Sequence, residues 1–549
     1  MLLFGLILLS CEKNVDLIVY NTKVYDLDSE TIVATAVVID RGKFIEMGSD
    51  SLRHVYKATE IIDAKGKLLL PGFNDAHAHV IGAGLTMQNV DLSTCTSKQE
   101  TLDKVTQFIK DVPAGTWVTG RGWNQELWDV KEWPSAHELD AISKEHPIYL
   151  RRVDGHSGWA NSLAMSLSGV TDTLLSPEGG EIKRDNEGKA IGIFVDAAEM
   201  LIQKNIPKPN ADQLTKAALD AQNHLLRMGV TSVTEIGPDH FFAIYSTLLS
   251  ENKLSVRVNF IPDYKKNLQP FQIEQPEWLN VQYSKVYMDG SLGSRSAWLT
   301  HPYEDEPTTS GLPQHTDSTL RAILEDLYQK NLKPAIHAIG DQGNQRLLEL
   351  YNEHINKHQI LNSRYRVEHA QILNETCYDL FVKGGVIASM QPKHCISDML
   401  WAENRLGKKR SEHAYPWKSV LDKKIHLAFG TDWPIEPVNP FYGVYGAVTR
   451  QFLGETQENT GWVPKEKLSV GESIYAYTSG SAYAENMEDE KGKIKTGHFA
   501  DFILVNEDIF RISPVNIQHT FVTHTFVNGE LKYQKDELVV SKSAEKALE

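Results

Sequence analysis

The sequence predicts an α/β fold, a (β/α)8 TIM-type barrel carrying a small β-sandwich formed from both chain ends. Three observations predict it. Apolar β-like runs alternate with helical patterns through the middle of the chain. Both ends are β-rich. Residues able to bind metal recur where those apolar runs stop, which is where a parallel barrel carries its reactive groups. A chain of 549 residues, 41% hydrophobic and 23% charged, has an ordinary globular composition and material for a sizeable core.

Taken in order, "MLLFGLILLSC" (1–11) is an apolar run too short to span a bilayer. It resembles a secretory signal core ending in a lipobox, so residues 1–15 are expected to be a leader in which Cys11 is lipidated. That reading places the protein at the bacterial cell envelope, on the periplasmic or outer-membrane face, with the lipid as its only membrane attachment. The same run read as a buried strand leaves a cytoplasmic protein. Residues 16–70 then give short strands with Gly and Asp punctuation, in "DLIVYNTKVYDLD", "ATAVVIDRGKFIEMGS" and "TEIIDAKGKLLLPG", and residues 487–540 repeat that character. Two β-rich ends around a long middle predict that both termini pair in one sandwich.

Residues 71–486 supply the barrel. Eight strands are expected in "GFNDAHAHV", "TWVTGRG" (116–122), "TSVTEIG" (231–237), "SKVYMDG" (284–290), "KPAIHAIG" (333–340), "RYRVEHA" (364–370), "GVIASMQ" (385–391) and "IHLAFGTD" (425–432). Helices are expected at 211–228, 318–330, 344–358 and 374–383. The stretch 123–210 is too long for one loop and reads as an insertion. Its tryptophans, Trp123, Trp128, Trp133 and Trp159, suit either an enclosed pocket or a core of the insertion's own.

Composition narrows the partners. A formal charge of −16 argues against nucleic acid, whose phosphates need a basic surface, and leaves a small-molecule substrate as the expected partner. Self-association into a homo-oligomer stays open. The four cysteines form no C-x-x-C pair, so neither a thiolate zinc site nor a disulfide framework is indicated.

In "GFNDAHAHV" the period of two puts Asp75, His77 and His79 on one face of a strand. Lys285 lies on the fourth strand, His337 ends the fifth, His369 the sixth and Asp432 the eighth. His337 and His369 are 32 residues apart, about one β/α unit, and His369 and Asp432 are 63 apart, about two. Four imidazoles and a carboxylate gathered at one mouth suit zinc or a similar divalent ion, and the aspartate can take a proton from metal-bound water.

With "PGFNDAHAH", "DGHSGWANS", "KVYMDGSLGSRSA", "IHAIGD", "RVEHAQ", "GTDWP" and "GHFADFILV" in this order, the chain resembles the amidohydrolase superfamily from about Asp16 to Lys532. Within it the likeness is to the amidohydrolase 3 branch that includes N-substituted formamide deformylase-like enzymes. One departure is His498, where the branch usually carries lysine. The resemblance implies one metal on His77 and His79, another on His337 and His369, and Asp432 as metal contact and general base. Lys285 can ligate only without its ammonium proton, and the family implies a carbamate made with carbon dioxide that bridges two ions. A salt-bridging lysine and a single ion are the alternative.

His156 is implied to bind substrate or to help stabilise the transition state, against a structural role. Asp289 and Arg295 either orient substrate and support the lysine or are a turn residue and a surface cation. Trp123 and Asn124, past the second expected strand, are further substrate-binding candidates. The implied chemistry is hydrolysis of carbon–nitrogen bonds other than peptide bonds, on an amide, N-formyl or N-acyl substrate. The rival readings are a deaminase or cyclic-amide hydrolase, and a lipid-anchored binding protein without turnover.

Overall fold

The structure is a computed structural model that describes residues 13–535; Cys11 and the expected leader up to residue 12 lie outside the described residues. The described chain divides into two compact units, one running to Val80 and resuming at Ala221, the other Ile81–Asp220.

In the first unit, two sheets are built from the chain ends. One orders its strands Lys43–Gly48, Ala36–Asp40, Lys13–Tyr20, Tyr56–Asp63. The other runs Glu530–Gln534, Val522–Val527, Phe502–Val505, Leu68–Pro71, Lys23–Asp26, Thr31–Ala34. Strand periodicity decides how they bury their apolar residues. Leu17, Val19, Val37 and Ile39 point into a cluster with Leu69, Phe502, Leu504 and Phe526 of the other sheet, whereas Ile18, Ala36 and Val38 point into a separate cluster with Leu52. Leu69 pairs antiparallel with Leu504, so the early and late parts of the chain share one ladder. A buried ion pair fastens this sheet to the next layer: Arg257 grips both oxygens of Asp501, at 2.6 and 3.1 Å.

The remainder of this unit is parallel sheet with helical crossovers. Eight strands are numbered here as β1 (Phe73–Ala78), β2 (Val230–Gly237), β3 (Arg257–Pro262), β4 (Tyr283–Tyr287), β5 (Lys333–Ala338), β6 (Arg366–His369), β7 (Ile387–Met390) and β8 (Leu427–Phe429). They form two arcs, β1-β2-β3 with the short Leu279–Asn280 at its edge, and β4-β5-β6-β7-β8. Every residue of β1, β2 and β3 is buried, as expected of a parallel sheet covered on both faces. Backbone hydrogen bonds link the arcs at both margins. Tyr264 N–H donates to the Lys285 carbonyl (2.9 Å), and Asp432 N–H to that of His77 (2.7 Å).

Among the crossovers, α1 (Asp317–Gln329) is capped by Thr316, whose hydroxyl accepts from Thr319 N–H; α2 (Asp341–His358) and α3 (Glu375–Gly384) follow β5 and β6. Asn374 caps α3 in the same way. With Ala211–Arg227, these match the four expected helices to within a few residues.

One expected strand is corrected. "TWVTGRG" is a strand, Val118–Trp123, but it belongs to the other unit, where it pairs with Val90–Asp91 and Ile148–Arg152 in a six-stranded sheet. The vacant position in the parallel series is taken by "RVNFIP", β3. Its leading arginine disguises a buried strand, because the neutralising Asp501 lies far along the chain.

The Ile81–Asp220 unit is wider than the expected insertion and has its own core. Trp123, Trp128 and Trp159 pack with Leu139, Ile148 and Leu150, and the Trp123 and Trp159 rings meet edge to face at 5.9 Å. Of the two readings of these tryptophans, the structure supports the internal core; Trp133 is part-exposed. Among the described residues no helix is long and apolar enough to cross a membrane.

Candidate metal centre

The C-terminal end of β1 delivers the first donors. His77 is buried and His79 follows the strand, one-third exposed. Their ring orientations are fixed from behind. His77 Nδ1 lies 2.6 Å from Glu368 Oε2, and His79 Nδ1 lies 2.8 Å from the Ile236 carbonyl. With Nδ1–H donating in each, the Nε2 lone pairs are left for the centre, an outer partner being the usual way of setting a metal-binding imidazole. Both Nε2 atoms converge on Asp432 Oδ1, at 3.6 Å from His77 and 3.3 Å from His79.

His369, at the end of β6, turns Nδ1 to the side-chain oxygen of Gln391 (2.7 Å), and its ring centre is 4.9 Å from that of His77. His337, on β5, lies 4.5 Å ring to ring from His369, with its Nε2 3.1 Å from the Gly290 carbonyl. Lys285 is buried on β4, its Nζ 5.2 Å from the centre of the Tyr287 ring. The structure therefore brings together His77, His79, His337, His369 and Asp432, with Lys285 on the strand beside them.

The loop after β8 is held against β1 by Asp75, which accepts N–H bonds from Thr431 (2.9 Å) and His77 (3.1 Å). Its tight approach explains the glycine of "GTDWP": a Cβ on Gly430 would come within 2.5 Å of His77 N. Both His369 (φ 76°) and Asp432 (φ 59°) are held in the left-handed region, a costly backbone for side chains that concentrates at functional sites.

Electrostatics suit metal binding. Burial, with Lys285 nearby, drives His77 down to about 4 and His337 to about 3, and burial also holds His369 well below the ordinary range. These imidazoles are neutral near pH 7, the form that coordinates a metal. Burial alone would raise Asp432, but His394, His79 and His77 outweigh it and hold the carboxyl well below its usual range. Burial likewise opposes charge on His79, yet Asp432 raises it. Lys285 is lowered by burial against the pull of Glu368 and Asp432. Neutral nitrogens around an ionised carboxylate form a donor set that fits a divalent ion such as zinc.

Sequence reasoning missed His394. It stands on the short helix Pro392–Asp398 after β7, with Nε2 3.3 Å from Asp432 Oδ2, opposite the oxygen that faces His77 and His79. Its sequence signal was position, just past the end of an expected strand. Glu368 and Arg366 were missed too. Two residues apart on β6, they face one way, Arg366 Nε donating to Glu368 Oε1 at 2.7 Å, and charges at that spacing in an otherwise buried strand were the available clue.

The expected substrate residues fare differently. Asp289 is fully buried and accepts N–H bonds from Trp298, Ile339 and Gly340 at 2.8–2.9 Å, a loop-organising part rather than a substrate contact. Arg295 spends its guanidinium on Asp305, with two bonds of 3.0 Å. Trp123, in the other unit, is buried with its Nε1 donating to the Leu150 carbonyl, which corrects the expectation that it faces a pocket. Asn124 caps the 3-10 turn Gln125–Leu127 and accepts from Arg152. His156, in the same unit, is largely exposed and pairs through Nδ1 with Asp196 Oδ1 at 2.9 Å.

Comparisons with known proteins identify the family. The model of the amidohydrolase family matches residues 60–533. A putative amidohydrolase of Bacillus subtilis, YtcJ, is 31% identical over 93% of this chain and 98% of its own length. The N-substituted formamide deformylase of Arthrobacter pascens is 24% identical over 95% of this chain and 98% of its own. An uncharacterized metal-dependent hydrolase from Pyrococcus furiosus superposes with a TM-score of 0.73 at 28% identity, covering 90% of this chain and all of that one. With a family match across most of its length and histidines and a carboxylate gathered as metal donors, the chain belongs to the amidohydrolase family and is a hydrolase of carbon–nitrogen bonds.

Proposed function

We propose that this enzyme hydrolyses the N-formyl or N-acyl amide of a small molecule, at a centre of one or two zinc ions held by His77, His79, His337, His369 and Asp432. The architecture we propose around it is a closed (β/α)8 barrel, β1 to β8, with the two end-derived sheets as its sandwich. The bonds at both margins of the parallel arcs support closure. The observation that carries the functional reading is the convergence of two imidazole Nε2 atoms on one carboxylate oxygen, Asp432 Oδ1, each imidazole locked behind by a partner at Nδ1.

When bound, such an ion polarises the substrate carbonyl and lowers the pKa of water to about 7. The rest is work for the side chains. Asp432, kept ionised by its histidines, accepts the proton of the attacking water and returns it to the leaving nitrogen. His79 and His394 hold its two oxygens from different sides, so the carboxylate is aimed before substrate arrives. Glu368, the Ile236 carbonyl and Gln391 fix three ring orientations. In the two-ion form Lys285 serves as its carbamate, and burial supports this by disfavouring the ammonium. The name of the Arthrobacter relative, at 24% identity, supports the formamide end of the substrate range.

The test is chelation followed by zinc re-addition, assayed on N-formyl amines, N-acyl amino acids, cyclic amides and adenine. Loss and recovery of turnover on the first two classes is expected. Full activity after complete metal removal, or turnover confined to adenine or cyclic amides, would overturn the proposal.

A further inference from the structure

A second group of metal-type donors lies away from the strand ends, on two neighbouring helices. Glu325 stands on α1; His354 and His358, one turn apart, stand on one face near the end of α2. The donor atoms these three offer all lie within 4.8 Å of one another. His358 Nε2 is 2.9 Å from Glu325 Oε2, and the two imidazole rings are 4.6 Å apart.

His354 is the informative member. Only 6% of it is exposed, and its Nδ1 is 3.0 Å from the Tyr365 hydroxyl, while its Nε2 is buried without a hydrogen-bond partner. A buried nitrogen left without a partner is a desolvation cost that a bound ion would remove. With Nδ1–H donating to an oxygen, the second ring nitrogen keeps its lone pair for a ligand, which is how ligating imidazoles are held.

We propose that Glu325, His354 and His358 form a second, non-catalytic zinc-class site that clips α1 to α2. Two imidazoles and one carboxylate suit zinc, with water as the fourth ligand. Donors about 2.1 Å from a tetrahedral ion lie roughly 3.4 Å apart, so the group must contract modestly, and the part-exposed Glu325 can move to do so. One competitor must leave: Lys357 Nζ is 2.7 Å from the same Glu325 oxygen, and its exposed side chain can swing into water. Gln329, which donates to the other oxygen at 3.2 Å, can stay.

The experiment uses the full-length protein with zinc as probe. Metal content after equilibration and desalting should be one equivalent lower in His354→Ala/His358→Ala than in wild type, while a His77→Ala/His369→Ala variant keeps that equivalent. Cobalt added to the latter should give tetrahedral visible absorption that Glu325→Gln weakens. Turnover of the His354/His358 variant should match wild type, so failure here is distinguishable from failure of the catalytic reading. Lys357→Met should tighten zinc about tenfold, and it serves if the double variant does not fold. Unchanged zinc content in the His354/His358 variant, or zinc affinity indifferent to both Glu325→Gln and Lys357→Met, would overturn the proposal.

Discussion

Glu368 Oε2 lies 2.6 Å from His77 Nδ1, with both side chains buried and Arg366 closing the same carboxylate from its other side. This contact decides which nitrogen of His77 carries the proton and hence which faces the centre. Glu368→Gln can no longer impose that choice, because an amide both donates and accepts. Zinc affinity should fall about 10- to 100-fold, as read by competition with a chromophoric chelator. Wild-type affinity in this variant would show that His77 needs no partner.

His394 and Asp432 are expected to act as a unit. His394→Gln should lower kcat about 100-fold with little change in KM, and Asp432→Asn should lower it further while most of the metal stays bound. Because the histidine works through the carboxylate, the double variant should be no slower than Asp432→Asn alone. Multiplicative losses in steady-state kinetics would assign His394 an independent role.

Asp501 fastens the late sheet to β3 through Arg257. Removing its charge leaves a buried guanidinium unpaired, so Asp501→Asn should cost about 3–5 kcal/mol in denaturant unfolding, far more than a surface pair. A shift below about 1 kcal/mol would mean that Arg257 finds another anion.

Asp289 predicts a pH dependence. Burial, against three N–H bonds, pushes its carboxyl up to about 7 from the ordinary 3.8. Between those values the folded protein binds more protons at this site than the unfolded chain, so this contribution makes stability fall as pH rises across the window. Asp289→Asn lowers stability overall by mispairing the N–H donors, but it should flatten that slope, as seen in unfolding midpoints from pH 4 to 7. A slope identical to wild type would show Asp289 ionised throughout.

Local pattern was enough to single out His77, His79, His337, His369 and Asp432 as neighbours, because in parallel strands with crossovers the residue ending an apolar run is already placed at one end of the sheet; Lys285 lies within β4. It was not enough for β3 or for the neighbours of "TWVTGRG". A strand is local; the sheet it joins is decided by distant partners, and Arg257 reads as surface until Asp501 is known. His394 sits on a helix, where the period-two argument says nothing. Asp289 and Arg295 carry the right chemical types for a substrate site, but the loops that use them internally are invisible to spacing.

The ladder between Leu69 and Leu504 has a consequence for biosynthesis. About 430 residues separate the partners, so at 5–20 residues per second the Leu68–Pro71 segment waits roughly 20 to 90 seconds for its neighbour. During that interval an apolar ribbon with unmet amides is open to mispairing with other nascent chains. Yield in a host should therefore respond more to chaperone supply and slower growth than the finished molecule's stability would suggest.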